Sequence, residues 1–445
     1  MLHQKSILFT VFIRPRLLVV FVTVTAVLLL NSCGAGGAKK QAGSKPTSDS
    51  VLLAAPVPLS AANQQYYYEG CKKWYDSALV RSGFNGGIIA SKNGNIVFEA
   101  YRGTGHLPGK DTIAETTAFH IASVSKTFTA MTVLKLWQDG RLNIDDELSK
   151  YFPSFNYPGV TVRSLLNHRS GLPNYVYFME QLGWDKSTVV TNADVLNWMV
   201  DRKADLTNIS SPNTHFTYCN TNYALLALLI EKVTGEKYGA YLAKTFFVPL
   251  GMQHTFVFDT AQQASVIPSY DWRNRLMSFN FLDAVYGDKN IYSTPRDLLI
   301  WDRALRSGKF FTQATLEQAY APYSNEKAGI RNYGLGWRMN IYPAGKKMIY
   351  HNGWWHGNNA AFVRLLTDTV TIIVVSNKFN RAVYHAKEMA SVFGNYEDYD
   401  EEDEALQSKD STAVNNKNEA ASKVKTAPVK NKKVQQKRVR QRRKK

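Results

Sequence analysis

Ala122-Ser123-Val124-Ser125-Lys126-Thr127, running straight into the apolar stretch 128–136, is the passage on which the reading of this 445-residue chain turns. Ser123 and Lys126 stand three apart, and residues at i and i+3 share a helix face. On the first turn of a buried helix the serine hydroxyl and the lysine amine therefore meet. Burial disfavours the charged form of a lysine, so a neutral amine there takes the serine proton. The helix N-terminus adds backbone N–H groups for a developing oxyanion. The spacing by itself is common, since Ser-x-x-Lys recurs at 324–327 and 422–425. Context separates the three: Ser123 opens an apolar helix directly after His120-Ile121-Ala122.

Two further motifs lie downstream. Tyr218-Cys219-Asn220 precedes the helical run 222–234. A phenol held near a cation loses its proton more easily and serves as general base or acid. The ordinary alternative is a core tyrosine with a capping Asn, and Tyr323-Ser324-Asn325 repeats the spacing. His351-Asn352-Gly353-Trp354 closes a strand-like run. A strand edge followed by glycine lets a substrate backbone come close. The ordinary alternative is a strand exit with a structural histidine, and His168 and His254 read as structural or loop-bound by the same standard.

Around these motifs the pattern predicts an α/β (α+β) fold. A helix is expected over 61–81, and strands over 86–90 and 95–101 around the turn pair Asn93-Gly94. Strands over 347–352, 360–366 and 370–376 and a helix over 381–393 follow at the other end. Between the two blocks helices are expected over 125–139, 162–167, 193–200, 221–234, 240–247 and 295–307. The architecture implied is an antiparallel sheet built from both chain ends, flanked by helices, with a large, mostly helical insertion. The globular part spans 61–395, its α/β portion about 61–120 and 285–395, its helical portion about 121–284. A cleft between two such lobes is a usual place for a site.

Taken together and in this order, the three motifs resemble those of the serine β-lactamase and penicillin-binding-protein family. The resemblance is to its class C and D,D-peptidase branch, which also holds esterases. Further matching segments are Leu165-Leu166-Asn167-His168-Arg169-Ser170-Gly171-Leu172-Pro173, Pro249-Leu250-Gly251-Met252, Tyr292-Ser293-Thr294-Pro295-Arg296-Asp297-Leu298 and Tyr333-Gly334-Leu335-Gly336-Trp337. The resemblance covers roughly 70–393. It implies Ser123 as the acylated nucleophile and Lys126 and Tyr218 as the groups that share proton transfer. It implies Asn220 as a ligand of the substrate amide, and the backbone N–H groups of Ser123 and Trp354 as an oxyanion hole. His351, with Asn352 and Gly353 in the substrate-binding strand, replaces the lysine of many members. A histidine is partly charged near neutral pH, so its help to a substrate carboxylate is expected to weaken as pH rises. Two departures stand out. Asn352 and Trp354 replace small hydroxyl residues, which favours an ester or amide with an apolar portion over a D-Ala terminus. No Glu-bearing loop of the class A kind is present, so deacylation falls to Tyr218.

The expected function is a serine hydrolase that forms an acyl-enzyme on an amide or ester bond, β-lactamase or D,D-carboxypeptidase-like. The alternatives are a class C-related esterase and a catalytically weak envelope-binding relative. No cofactor or metal is expected. Cys71 and Cys219 give neither a zinc pattern nor a disulfide framework.

The ends of the chain carry addresses rather than chemistry. Residues 1–33 hold a basic start, the 14-residue apolar run 17–30 and Leu30-Asn31-Ser32-Cys33. The run is shorter than the roughly 20 residues a membrane-spanning helix needs. It reads as an export signal, and the Cys after Leu-x-small resembles a bacterial lipobox that would lipidate Cys33. Residues 34–60 then read as a flexible linker. The segment 396–445 reads as a disordered tail, acidic and then basic. Its last 31 residues hold 13 Lys and Arg against Glu419, which accounts for +12 of a formal net charge of +18. Such a charge suggests a nucleic-acid partner, but an exported chain is kept from the genome. Expected partners are instead a small-molecule or peptidoglycan-derived substrate, a bacterial membrane through the lipid, and anionic envelope polymers through the tail.

Overall fold

The computed structural model describes residues 51 and 53–396. The signal with Cys33, most of the linker and the tail from 397 lie outside the described residues. Seven antiparallel strands form the main sheet: β1 (Gly86–Lys92), β2 (Asn95–Arg102), β3 (Arg331–Tyr333), β4 (Arg338–Ile341), β5 (Lys347–Trp355), β6 (Asn358–Leu365) and β7 (Val370–Ser376). Their spatial order is β2-β1-β7-β6-β5-β4-β3. β1 pairs with β7 from Gly86 opposite Ser376 to Lys92 opposite Val370, so both chain ends build one sheet. Asn93 and Gly94 take φ of 53° and 79°, the left-handed pair that an Asn-Gly hairpin turn requires.

Both faces of the sheet are covered. Ile88, Ala90, Ile372 and Val374 pack with Cys71, Leu79 and Met389. Those partners come from α1 (Ala61–Trp74), its continuation and the 3-10 helix Arg381–Val392. Ile89, Ile373 and Val375 point the other way, into a larger core with Phe128, Met131 and Leu134 of α2 (Ser125–Gln138). Burial on two sides explains why β7 reads as an unbroken apolar run rather than an alternation. α2 is itself buried nearly all round, and each fully buried Leu, Phe or Met on it contributes about 1.5–3 kcal/mol. The helical lobe adds α3 (Val162–Leu166) and α4 (Asn220–Thr234), and α5 (Pro295–Arg306) packs on β1 and β7. A small sheet sits between the lobes, with Ile291–Ser293 between Phe119–His120 and Phe256–Val257.

Several expectations need correcting. The helix expected over 61–81 turns into a π-helix at Tyr75–Val80, and that over 240–247 does so at Ala243–Phe247. The segment over 381–393 is 3-10 rather than α. Helices Tyr175–Gln181 and Gln313–Ala319 and strands β3 and β4 went unread. Elements of three to seven residues show too little periodicity and are fixed by their neighbours. The linker is not flexible to its end. Val51 N–H donates to Pro249 O (2.8 Å) and Val57 N–H to Asn93 O (3.2 Å), and Arg303 donates to Ala54 O (2.6 Å). Tyr396, expected as the first tail residue, is buried against Tyr342. Cys71 and Cys219 are both buried and unbridged.

Candidate active site

The Ser123 turn is held from the small sheet. Ile121 N–H donates to Ile291 O (2.9 Å), and Ile291 N–H donates to Ser125 Oγ (3.1 Å). Ala122 N–H donates to His120 Nδ1 (3.2 Å), which leaves the proton on Nε2, 2.9 Å from Asn290 Oδ1. Burial pushes the His120 imidazole down to about 4, so it stays neutral. Ala122 adopts φ +48° and opens a 3-10 turn, Ala122–Val124, that feeds α2. Ser123 therefore precedes the α-helix instead of lying on its first turn. A 3-10 turn eclipses i and i+3, and Lys126 Nζ donates to Ser123 Oγ at 3.0 Å. Lys126 is fully buried while Ser123 is partly open. A second acceptor, Asp288 O at 2.7 Å, fixes the nitrogen end of the side chain.

Tyr218 lies just before α4, whose first residue is Asn220. Cys219 occupies the N-cap position without a side-chain cap, so Asn220 is not spent on capping. Its side chain and that of Tyr218 are partly exposed. Lys126 Nζ sits 5.1 Å from the Tyr218 ring centroid, and the Arg338 guanidinium also lies 5.1 Å from it. The sequence offers no signal for Arg338, because a strand of four residues is too short to show a period.

Strand β5 supplies the opposite wall. A Cβ built on Gly353 would lie 2.3 Å from Ile121 O and 3.1 Å from Ser123 N. Only glycine lets the strand come this close to the turn, and the Ser123 amide faces it. Asn352 is half-buried beside it. The Trp354 indole N–H donates to His356 O (2.7 Å) and its ring packs on Phe379. His351 is fully buried, with Nδ1 2.7 Å from Asn352 O and Nε2 3.3 Å from the Tyr333 hydroxyl. Its ring centroid is 6.2 Å from that of Tyr218. Burial, then Arg338 and Lys126, hold this imidazole far below its ordinary value. His351 is thus neutral throughout the physiological range, and the expectation of a partly charged histidine is corrected.

The structure brings Ser123, Lys126, Tyr218 and His351 together, with Gly353 against the turn. It also shows a network that sequence reasoning missed. Lys289 Nζ donates to Tyr175 Oη (2.5 Å), which donates to Asp288 Oδ2 (2.9 Å), so the carbonyl that holds Lys126 belongs to a cross-linked loop. Lys289 is also 4.6 Å from the Trp355 ring. A cavity of about 220 Å³ is lined by His120, Val266, Ile267, Phe279, Tyr292 and Trp355, among others. Among the described residues no group of three or more His, Cys, Asp or Glu is placed to hold a metal ion.

A hydroxyl hydrogen-bonded to a buried amine, beside a phenol under a cation, is an arrangement for acyl transfer. Comparison with known proteins agrees. The beta-lactamase family model matches residues 78–393. The chain is 31% identical over 314 residues to penicillin-binding protein 4* of Bacillus subtilis (strain 168), covering 66% of this chain and 68% of that one. It is 27% identical over 263 residues to the putative penicillin-binding protein PbpX of the same organism, covering 57% of this chain and 63% of that one. Among solved structures, a penicillin binding protein from Bacillus halodurans superposes with a TM-score of 0.62 at 22% identity, covering 73% of this chain and 98% of that one. A D-amino acid amidase from Ochrobactrum anthropi SV3 gives 0.60 at 22% identity, covering 74% and 97%. At that identity the two structures speak for the fold alone. With the family match spanning most of the globular part and the serine–lysine contact in place, the chain belongs to the beta-lactamase family and is a serine hydrolase.

Proposed function

We propose that Ser123 is the nucleophile of an acyl-enzyme hydrolase of the cell envelope, acting on an amide or ester with an apolar portion. The observation that carries this reading is the 3.0 Å contact between Lys126 Nζ and Ser123 Oγ, with the amine fully buried and tied to Asp288 O. Ser123 Oγ bonds to the substrate carbonyl carbon as its proton passes through the Lys126–Tyr218 pair to the leaving nitrogen or oxygen. The bond to that leaving atom then breaks. Water attacks the acyl-enzyme, giving up its proton by the same route, and the serine ester is cleaved. The backbone N–H groups of Ser123 and Trp354 hold the oxyanion, and Asn220, with Asn352 and Gly353, orients the substrate.

The apolar preference is supported by three features. His351 is uncharged, so it offers no cation to a carboxylate. Trp354 stands where a small hydroxyl would help one. The cavity of about 220 Å³ beside Trp355 and His120 has room for a small aliphatic or aromatic group. A peptidoglycan-derived amide is the substrate class that the relatives' names suggest for the natural reaction. Lipidation at Cys33 would hold the enzyme at a bacterial membrane, and the basic tail would meet anionic envelope polymers.

The test is a panel of a p-nitrophenyl ester, a D-Ala-D-Ala peptide and a fluorescent penicillin. Ester turnover with weak penicillin labelling is the expected outcome. Ser123→Ala should lower ester kcat by more than about 10³-fold, as removal of a nucleophile does in other serine hydrolases. Wild-type enzyme that neither turns over nor labels would refute the reading.

A further inference from the structure

His168 was read from sequence as structural, yet it meets the tyrosine proposed for proton transfer from three directions. Its backbone carbonyl accepts the N–H of Thr217 at 2.9 Å. Its Nδ1 accepts the N–H of Cys219 at 3.1 Å. These are the two residues that flank Tyr218. Its ring centroid lies 4.4 Å from that of Tyr218, with the planes inclined at 42°. The Asn222 amide, fixed by a 2.7 Å bond from Ser170 Oγ to its Oδ1, places its nitrogen 3.3 Å from the same Nδ1.

These contacts settle the tautomer. Nδ1 faces the donors Cys219 N–H and the Asn222 amide, so the ring proton sits on Nε2. Nε2 is buried and has no hydrogen-bond partner among the described residues. Burial, followed by Lys126, His351 and Arg338, keeps the imidazole far below its ordinary value and uncharged. The residue also takes φ +58°, in the left-handed region where Asn, Asp and His are the non-glycine residues most often found. A core histidine kept only for packing would satisfy its second nitrogen. Tyr218, for its part, precedes α4 and belongs to no regular element, so neither a strand ladder nor a helix turn fixes its phenol.

We propose that His168 is a positioning residue for Tyr218, holding both amides that flank the tyrosine and backing its ring so that the phenol stays within reach of Lys126 and Ser123. The proposal rests on the proton-transfer role given to Tyr218 above. A misplacement of about 1 Å in a catalytic group costs on the order of 10²-fold in rate, so the effect belongs in kcat rather than in KM.

The experiment compares His168→Phe and His168→Asn in wild-type and Tyr218→Phe backgrounds, with p-nitrophenyl ester kinetics normalised to the folded fraction by circular dichroism. His168→Phe keeps a ring and removes the acceptor; it should lower kcat about 10- to 100-fold with KM little changed. In the Tyr218→Phe background the same substitution should cost less than about 3-fold, the non-additivity of residues that act together. His168→Asn tolerates the left-handed backbone and restores an acceptor, so it should lose less. If His168→Phe does not fold, His168→Asn decides: a modest loss of kcat that vanishes in the Tyr218→Phe background supports the proposal. Equal losses in both backgrounds, or kcat kept within about twofold in the folded His168→Phe enzyme, would overturn it. If Tyr218→Phe alone retains full turnover, the role of Tyr218 falls and this proposal with it. An inactive Tyr218→Phe beside an unaffected His168→Phe removes the positioning role only.

Discussion

Gly353 shows how one missing methyl group sets a catalytic distance. Its α-carbon faces Ile121 O and Ser123 N so closely that a Cβ would lie 2.3 Å from the first. Gly353→Ala must push β5 away from the turn, widening the gap between the Ser123 amide and Trp354. We expect a loss of at least about 10²-fold in kcat/KM and a destabilisation of about 1–3 kcal/mol, measured by ester kinetics and by thermal unfolding. Full activity in the variant would show that the strand and turn do not act together. This glycine was legible as a point of close approach, though for a substrate backbone rather than for the Ser123 turn. The Ser123–Lys126 pair was legible too, because its spacing is local. The atoms that hold these groups were not. Asp288 O lies 162 positions from Lys126, and His168 Nδ1 lies 51 from Cys219. No periodicity reports a hydrogen bond of that span.

Among the elements, the 3-10 turn before α2 carries a strained residue. Ala122 sits at φ +48°, where a non-glycine residue costs about 1–2 kcal/mol. The turn is held by the bond from Ala122 N–H to His120 and by the passage of β5 beside it. Ala122→Val adds β-branching to a left-handed backbone and meets Gly353. It should destabilise the protein by about 1–3 kcal/mol and lower the acylation rate at least tenfold, read by stopped-flow burst kinetics. Ala122→Gly relieves the strain and should stay within about 1 kcal/mol of wild type. A fully active Ala122→Val enzyme would mean that the turn does not set the nucleophile. Sequence patterns gave the long elements to within a few residues, because α2, α4 and β7 are long enough to show a period. The π and 3-10 stretches escaped, since their pitch is chosen by packing rather than by the order of apolar residues.

At the scale of the whole molecule, the three buried histidines among the described residues contribute to the response to acid. His120, His168 and His351 are all held below the ordinary histidine value, chiefly by burial, His120 at about 4. Each is neutral when folded and takes a proton when unfolded once the pH falls below about 6.5. The unfolded state then binds more protons, so stability is fully present above that pH and is lost as pH drops toward the folded values. The slope should approach about 1.4 kcal/mol per pH unit for each histidine. Denaturant titrations from pH 7 to pH 4.5 test this, and flat stability across that window would contradict it. The net charge of +18 bears on a different matter: +12 of it lies in the last 31 residues, although the acidic run before them brings the net charge of 397–445 down to +5. Deleting 397–445 should leave kcat/KM on a soluble ester within about twofold, because surface charge acts on association with charged partners rather than on the chemistry. Cys33→Ser should release the enzyme from the membrane fraction on cell fractionation. A large loss of turnover after the deletion, or unchanged fractionation, would refute those two expectations.

The pairing of β1 with β7 has a consequence in time. Ser376 Oγ closes on Asn85 O across 291 positions, so the sheet that backs the nucleophile is finished only by the last strand. At roughly 5–20 residues per second of synthesis, Ser123 is made about 10–50 s before that strand. Throughout that interval the serine is an ordinary hydroxyl on an unfinished chain. The sheet behind the reactive turn is complete only once nearly all of the globular part has been made. A fragment cut short before residue 370 lacks the strand that joins the sheet's two halves, and so has no means of attacking the acyl compounds of the cell that makes it.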